Sequence, residues 1–352
     1  MKVLISFLIS FISTVILTPI IIKLAYKIGA IDLPNERKVH QKGIPRIGGL
    51  AIIIGFSIGA SFLSLYEYDN FHIIFLSIII MLLTGLLDDI YNLKPIYKFS
   101  GQLIAALLVV AVAQLKIEYV VLPSNFNLDF GFYSYLISLF WILALTNSIN
   151  FIDGLDGLAA GVSIIALGSM LYLSIIDNHV LVVALAAIVI GSTLGFLLFN
   201  FHPAKIFMGD TGSQFLGFII AIISIMGFYK SVTIFSLFIP IIILGVPLFD
   251  TFFAIMRRLL SKQSISKADR SHIHHRLLDF GFSHRESVSI IYCLCIVFSA
   301  IAISSSRVTL WQSFIIFIIF TIILQFLAEL IGLLGKKQIF LALFKKLLFR
   351  NK

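Results

Sequence analysis

Apolar residues fall in long unbroken runs, and polar residues gather in short stretches between them. The runs lie near 3–23, 47–66, 71–88, 99–116, 132–149, 157–176, 180–199, 213–229, 233–256, 287–305 and 308–334. A helix that crosses a bilayer needs about 20 mostly apolar residues, so each run is a candidate span. The pattern predicts an all-α integral membrane fold of ten to eleven transmembrane helices, forming a single domain over 1–352 without a linker. The thinnest separators are Asp177 to His179, Lys230 and Arg307. Segment 117–131 carries Pro123, Asn125 and Asn127 and is too polar to span, so it reads as a short strand or hairpin on the outer face.

Composition agrees with this pattern. The chain is 60% hydrophobic and 12% charged, with a mean hydropathy of +1.08. A soluble domain is roughly half apolar and about a quarter charged, so a chain of soluble cores would lack the surface it needs. The two cysteines, Cys293 and Cys295, sit two residues apart in one apolar run. At that spacing on a helix they read as packing residues, not as a disulfide or a zinc site. The first run, Val3 to Ile22, is longer than the apolar region of a signal peptide, and no small-residue cleavage pattern follows it. It reads as a retained helix.

The net charge of +9 would suggest nucleic acid on a soluble protein. Its distribution says otherwise. With the N-terminus outside, 22 of the 26 Lys and Arg residues fall in inner loops and the tail, and only Lys2, Lys116, Lys230 and Arg307 lie outside. That asymmetry is the positive-inside pattern of a multi-pass membrane protein. It makes anionic membrane lipid the natural neighbour and removes nucleic acid as a partner.

Carboxylates repeat the asymmetry, and several stand where an apolar run meets water. Ionisable groups at such depth are costly, which makes them candidates for function. Asp88 and Asp89 end one long run, and Lys94 and Lys98 follow. Lys98 lies one turn into the next span, where a lone cation needs an anionic partner such as a phosphate. The stretch 147–157 places Asn147, Asn150, Asp153 and Asp156 at intervals of three, along one slowly drifting helix face. Gly154 and Gly157 interrupt it and let backbone approach a ligand. At 207–213, Phe207 and Met208 precede Gly209, Asp210, Thr211, Gly212 and Ser213. A glycine-flanked Asp at a helix N-terminus suits a metal–phosphate site. The longest inner loop carries Arg270, His272, His274, His275 and Arg276. Arginines crowd out zinc there and favour a diphosphate through charge-assisted bonds. All four clusters fall on one face. They supply hard oxygen ligands suited to magnesium, with manganese as an alternative, and cations suited to phosphates. There is no Walker A loop and no kinase signature, so phosphoryl transfer would take place between helices. A secondary transporter would put ionisable groups near the midplane and on both sides, which this pattern does not. A membrane phosphatase is the other rival.

Five segments carry a resemblance: PNERKVHQKGIPRIGGLAI (34–52), GLLDDIYNLKPIYKFSGQ (85–102), TNSINFIDGLDGLAAGVS (146–163), FMGDTGS (207–213) and ADRSHIHHRLLDFGFSHRES (268–287). In this order they resemble the polyprenyl-phosphate N-acetylhexosamine-1-phosphate transferases, and the last segment is similar to the undecaprenyl-phosphate N-acetylglucosamine-1-phosphate branch. The resemblance implies a UDP-sugar and undecaprenyl phosphate as substrates, with the active site in cytoplasmic loops. It implies magnesium on Asn150 and Asp210, uracil recognition around Asp156 with Phe207 stacked on the base, and the lipid phosphate on Lys98. The histidines, with Arg270 and Asn147, would contact the nucleotide sugar. Asp88, Asp89 and Asp153 are the catalytic candidates, and Asp88 and Asp89 organise charge at least as much as they remove a proton. A homodimer through apolar faces is a further expectation.

Overall fold

The computed structural model describes residues 1–32, 43–121, 127–228, 234–262, 272–308, 310–330 and 332. Helices make up nearly all of it. In order they are α1 (Lys2–Ile28), α2 (Gly49–Phe62), α3 (Phe71–Tyr91), α4 (Pro95–Leu107, continued by a wider turn over Leu108–Val112), α5 (Tyr133–Ile152), α6 (Leu158–Ile176) and α7 (Val180–Asn200). Then come α8 (Gly209–Phe228), α9 (Ile234–Ile243), α10 (Gly245–Leu260), the short α11 (Ile273–Asp279), α12 (His284–Ser305) and α13 (Leu310–Leu330). Eight of the described helices are long and apolar enough to cross a membrane: α1, α3, α4 with its continuation, α5, α6, α7, α8 and α12. The protein is a multi-pass, helical membrane protein.

Two expected spans differ in form. The second run yields a helix of 14 residues followed by a short turn over Leu65–Glu67. The ninth divides at Leu244 into α9 and α10. Pro247 has no N–H, and its ring opposes the carbonyl four residues back, which breaks the helix there. The last run is described as α13. The polar segment forms the expected hairpin, pairing β3 (Tyr119–Val121) with β4 (Asn127–Asp129) in antiparallel register. A second small pair, β1 (Ile31–Asp32) with β2 (Ile44–Pro45), was not foreseen.

Packing is closest around α8, whose side chains are almost all buried against α3, α5 and α2. Gly85 of α3 lets the helices meet, since a Cβ there would stand 2.5 Å from Thr211 Cα. The N-terminal helix is more than an apolar anchor. Ser6, Ser10, Thr14 and Thr18 are buried on one of its faces, and Ser10 donates to Ile188 O of α7 at 3.0 Å. Small residues let helices pack closely in lipid, where burial of apolar surface gives little drive.

Candidate active site

Helix ends converge on one face. The C-terminal ends of α3 and α5 and the N-terminal ends of α4 and α8 meet through bonds between residues distant in sequence. The start of α8 is the centre. A helix N-terminus leaves several N–H groups without acceptors and carries partial positive charge. Here Asp89, from α3, supplies the cap. Its Oδ1 accepts the Asp210 N–H at 2.9 Å, and its Oδ2 accepts the Thr211 N–H at 3.0 Å and the Thr211 hydroxyl at 2.6 Å. Arg46 Nε lies 3.4 Å from Oδ1, and Arg46 also donates to Asn92. Gly209 turns the chain into α8 with φ +68°, and any side chain there would strike Arg46 O and Asp89. Asp89 is therefore sealed into the fold.

Asp88 faces a different group. Its Oδ2 lies 3.4 Å from Lys98 Nζ, and the same ammonium is paired with Asp210. The sequence-predicted Asp88, Lys98 and Asp210 thus form one cluster, with Lys98 and Asp210 partly open to solvent and Asp88 buried. Behind it runs a chain of amides. Gln214 Nε2 donates to Asp210 Oδ2 at 3.0 Å, Gln102 Nε2 donates to Gln214 Oε1 at 3.2 Å, and Asn147 Nδ2 donates to Gln102 Oε1 at 2.8 Å. Asn147 also donates to Leu143 O, so both of its protons are spent within the protein. Sequence reasoning missed Gln102 and Gln214. A lone Gln inside an apolar run was the only signal, and both are buried.

The 147–157 stretch divides in space. Asn150 Nδ2 donates to Ser213 Oγ at 2.8 Å, which leaves its amide oxygen without a partner among the described residues. Asp153 caps the end of α5 and is half-buried. Desolvation by burial, with help from the charges of Asp89 and Asp156, pushes its carboxyl up to about 7. Asp156 turns elsewhere: its Oδ2 meets His202 Nδ1 at 2.7 Å and the Ala204 N–H at 3.1 Å, and His284 Nε2 lies 3.9 Å away. His202 and His284 are stacked with centroids 4.2 Å apart. Neither was singled out in the sequence. Phe207 is half-buried, and its N–H donates to Pro45 O at 2.7 Å.

The histidine segment closes over the turn. His274 is seated on Gly154, where any Cβ would collide with its ring. His274 and His275 are 4.2 Å apart, and His272 stands parallel to His274 at 5.9 Å. Burial, with the neighbouring His275, His272 and His284, pushes His274 down to about 3, so it is uncharged at neutral pH. His274 therefore gives a diphosphate no positive charge. Arg270 lies outside the described residues.

The donor set fits magnesium chemically. Asp210, Asp88 and the open amide oxygen of Asn150 are hard oxygen ligands. The Lys98 ammonium held by both carboxylates shows that the position attracts a cation.

Comparison with known proteins gives the family. Residues 71–228 match glycosyl transferase family 4. The chain is 47% identical over 352 residues to a probable undecaprenyl-phosphate N-acetylglucosaminyl 1-phosphate transferase of Bacillus subtilis, covering 99% of this chain and 98% of that one. It is 35% identical over 301 residues to a decaprenyl-phosphate N-acetylglucosaminephosphotransferase of Mycobacterium tuberculosis, covering 76% and 74%. A phospho-N-acetylmuramoyl-pentapeptide-transferase of Halalkalibacterium halodurans is 32% identical over 322 residues, covering 85% and 96%. Fold and site define a polytopic membrane protein with a charged cluster where helix ends meet. The chain belongs to glycosyl transferase family 4.

Proposed function

We propose that this chain transfers N-acetylglucosamine-1-phosphate from UDP-N-acetylglucosamine to undecaprenyl phosphate, releasing UMP and forming the first lipid-linked sugar of a surface glycan. The observation that carries the reading is the Asp88–Lys98–Asp210 cluster at the converging helix ends, in a chain so similar in full length to the Bacillus protein. The reading includes one domain of about eleven spans, with the N-terminus outside and the site at the cytoplasmic face of the inner membrane. The positive-inside asymmetry supports that sidedness.

A lipid phosphate oxygen attacks the sugar-bearing phosphorus, the bond to the bridging oxygen breaks, and UMP leaves. Two anions must meet, so charge neutralisation dominates the barrier. Lys98 holds the incoming phosphate, and Asp88 holds Lys98. Asp89 and the amide chain fix Asp210 in direction. Asn150 and Asp210 would hold magnesium, or manganese, which when bound supplies positive charge to the diphosphate and the leaving oxygen. No general base is required, because a phosphate monoester has a second pKa of about 6 and is ionised at neutral pH. Asp156, with His202 behind it, and Phe207 would receive the uracil.

Purified protein given UDP-N-acetylglucosamine, magnesium and a polyprenyl phosphate should release UMP and form a lipid-linked sugar. Free phosphate from the lipid alone would instead identify a phosphatase. No UMP with any UDP-N-acetylhexosamine would sink the reading, whereas UMP with a different one would move the sugar and keep the reaction.

A further inference from the structure

Asp250 lies on α10, outside every motif that marks the site in the sequence. Its side chain and that of His272 are 3% and 7% exposed. Its Oδ2 meets His272 Nδ1 at 2.7 Å, and its Oδ1 accepts the Ile273 N–H at 2.8 Å. A carboxylate has no proton to donate, so in the neutral ring the proton of the first contact sits on Nδ1 and the lone pair on Nε2. Nε2 has no partner among the described residues. The ring that carries it stands between Phe151, at 5.9 Å, and His274, which rests on Gly154. This nitrogen therefore lies beside the 150–157 turn. The second contact of Asp250 caps α11, the helix on which His274 and His275 sit.

We propose that Asp250 is a positioning residue for the transfer reaction. It fixes His272 as the Nδ1–H tautomer, so that Nε2 meets the nucleotide sugar as a hydrogen-bond acceptor, for a hydroxyl or amide N–H. The inference rests on the transferase reading. It departs from a phosphate clamp, because an acceptor nitrogen repels a phosphate oxygen.

Asp250→Asn separates tautomer control from capping. The asparagine Oδ1 still accepts the Ile273 N–H, but its Nδ2 donates, so Nδ1 must accept and the proton moves to Nε2. Nitrogen NMR of the full chain with isotopically labelled histidine, in detergent micelles, reports the tautomer directly. His272 is assigned by the signals that vanish in His272→Gln. The expected result is Nδ1–H in the wild type and Nε2–H in Asp250→Asn, with an unchanged melting temperature. A fall in kcat of at least about tenfold should accompany it, as wrong-tautomer histidines show elsewhere. An Nε2–H pattern in the wild type overturns the proposal, and so does wild-type kcat in a variant whose tautomer has reversed. If Asp250→Asn does not fold, the wild-type spectrum decides: Nδ1–H with an unprotonated Nε2 supports the proposal, and a protonated Nε2, in either the neutral or the charged ring, overturns it. A wild type that releases no UMP sinks the transferase reading instead, and the NMR comparison still settles the tautomer.

Discussion

Asp88 and Asp89 are adjacent in the chain and take opposite roles in space. Asp89 caps α8, and Asp88 steadies Lys98. Asp89→Ala leaves two N–H groups and a hydroxyl without an acceptor, which should cost about 1–3 kcal/mol. A lower melting temperature in detergent, at every pH tested, is the expected result. Asp88→Asn should keep the melting temperature and lose turnover uniformly across pH. Full recovery at high pH would instead assign Asp88 to deprotonating the lipid phosphate. Asp153 makes a pH prediction of its own. Its carboxyl is raised to about 7 in the fold, above the ordinary 3.8, so the folded state binds the proton more tightly. The penalty for ionising it is absent below the ordinary value, grows as pH rises and is complete above the folded value. In metal-free buffer, Asp153→Asn should melt higher than wild type at about pH 8, with the advantage gone near pH 4. Equal differences at both would show that Asp153 is not desolvated.

At the scale of elements, most of the apolar runs became helices because length and hydrophobicity are local properties. The hairpin between α4 and α5 was legible for the same reason, from its Pro and Asn content. The site was legible in part. Asp88, Lys98, Asn150 and Asp210 stand at helix ends, where a charge beside an apolar run is conspicuous. Their supports were not legible. Gln102 and Gln214 meet across 112 residues, and Asp89 and Thr211 across 122, so no local spacing announces them. Asp250 carried no neighbouring motif, and its partner His272 is 22 residues away. The break between α9 and α10 was readable in principle, because Pro247 interrupts the run, but hydropathy alone ran through it. Close helix contact gives the prediction at this scale. Gly85→Ala places a methyl against the backbone of Thr211, which must push α3 from α8 at a cost of about 1–3 kcal/mol. Because Asp89 rides on α3 and Asp210 on α8, activity should fall further than the melting temperature suggests. An active, equally stable variant would show that the two helices have slack.

Over the whole molecule, charge orders what hydropathy cannot. The runs mark where helices pass, and the basic loops support the proposed direction in which they pass. Single cysteines placed in the 119–129 hairpin should react with an impermeant thiol reagent in intact cells, in a chain whose Cys293 and Cys295 are replaced by serine. Cysteines in the 201–208 loop should react only after permeabilisation. The reverse labelling would invert the proposed topology.

The amide chain behind Asp210 has a direction, since each link donates toward the carboxylate. A series of this kind has no independent members. Losing one side chain strands its neighbours in an apolar setting, whereas losing two that face each other strands fewer. Gln214→Leu should therefore cost more beside an intact Gln102 than beside Gln102→Leu, a departure from additivity readable in a double-mutant cycle on melting temperature. Such residues can change only together, so drift through sequence space at these positions would proceed in paired steps rather than single ones.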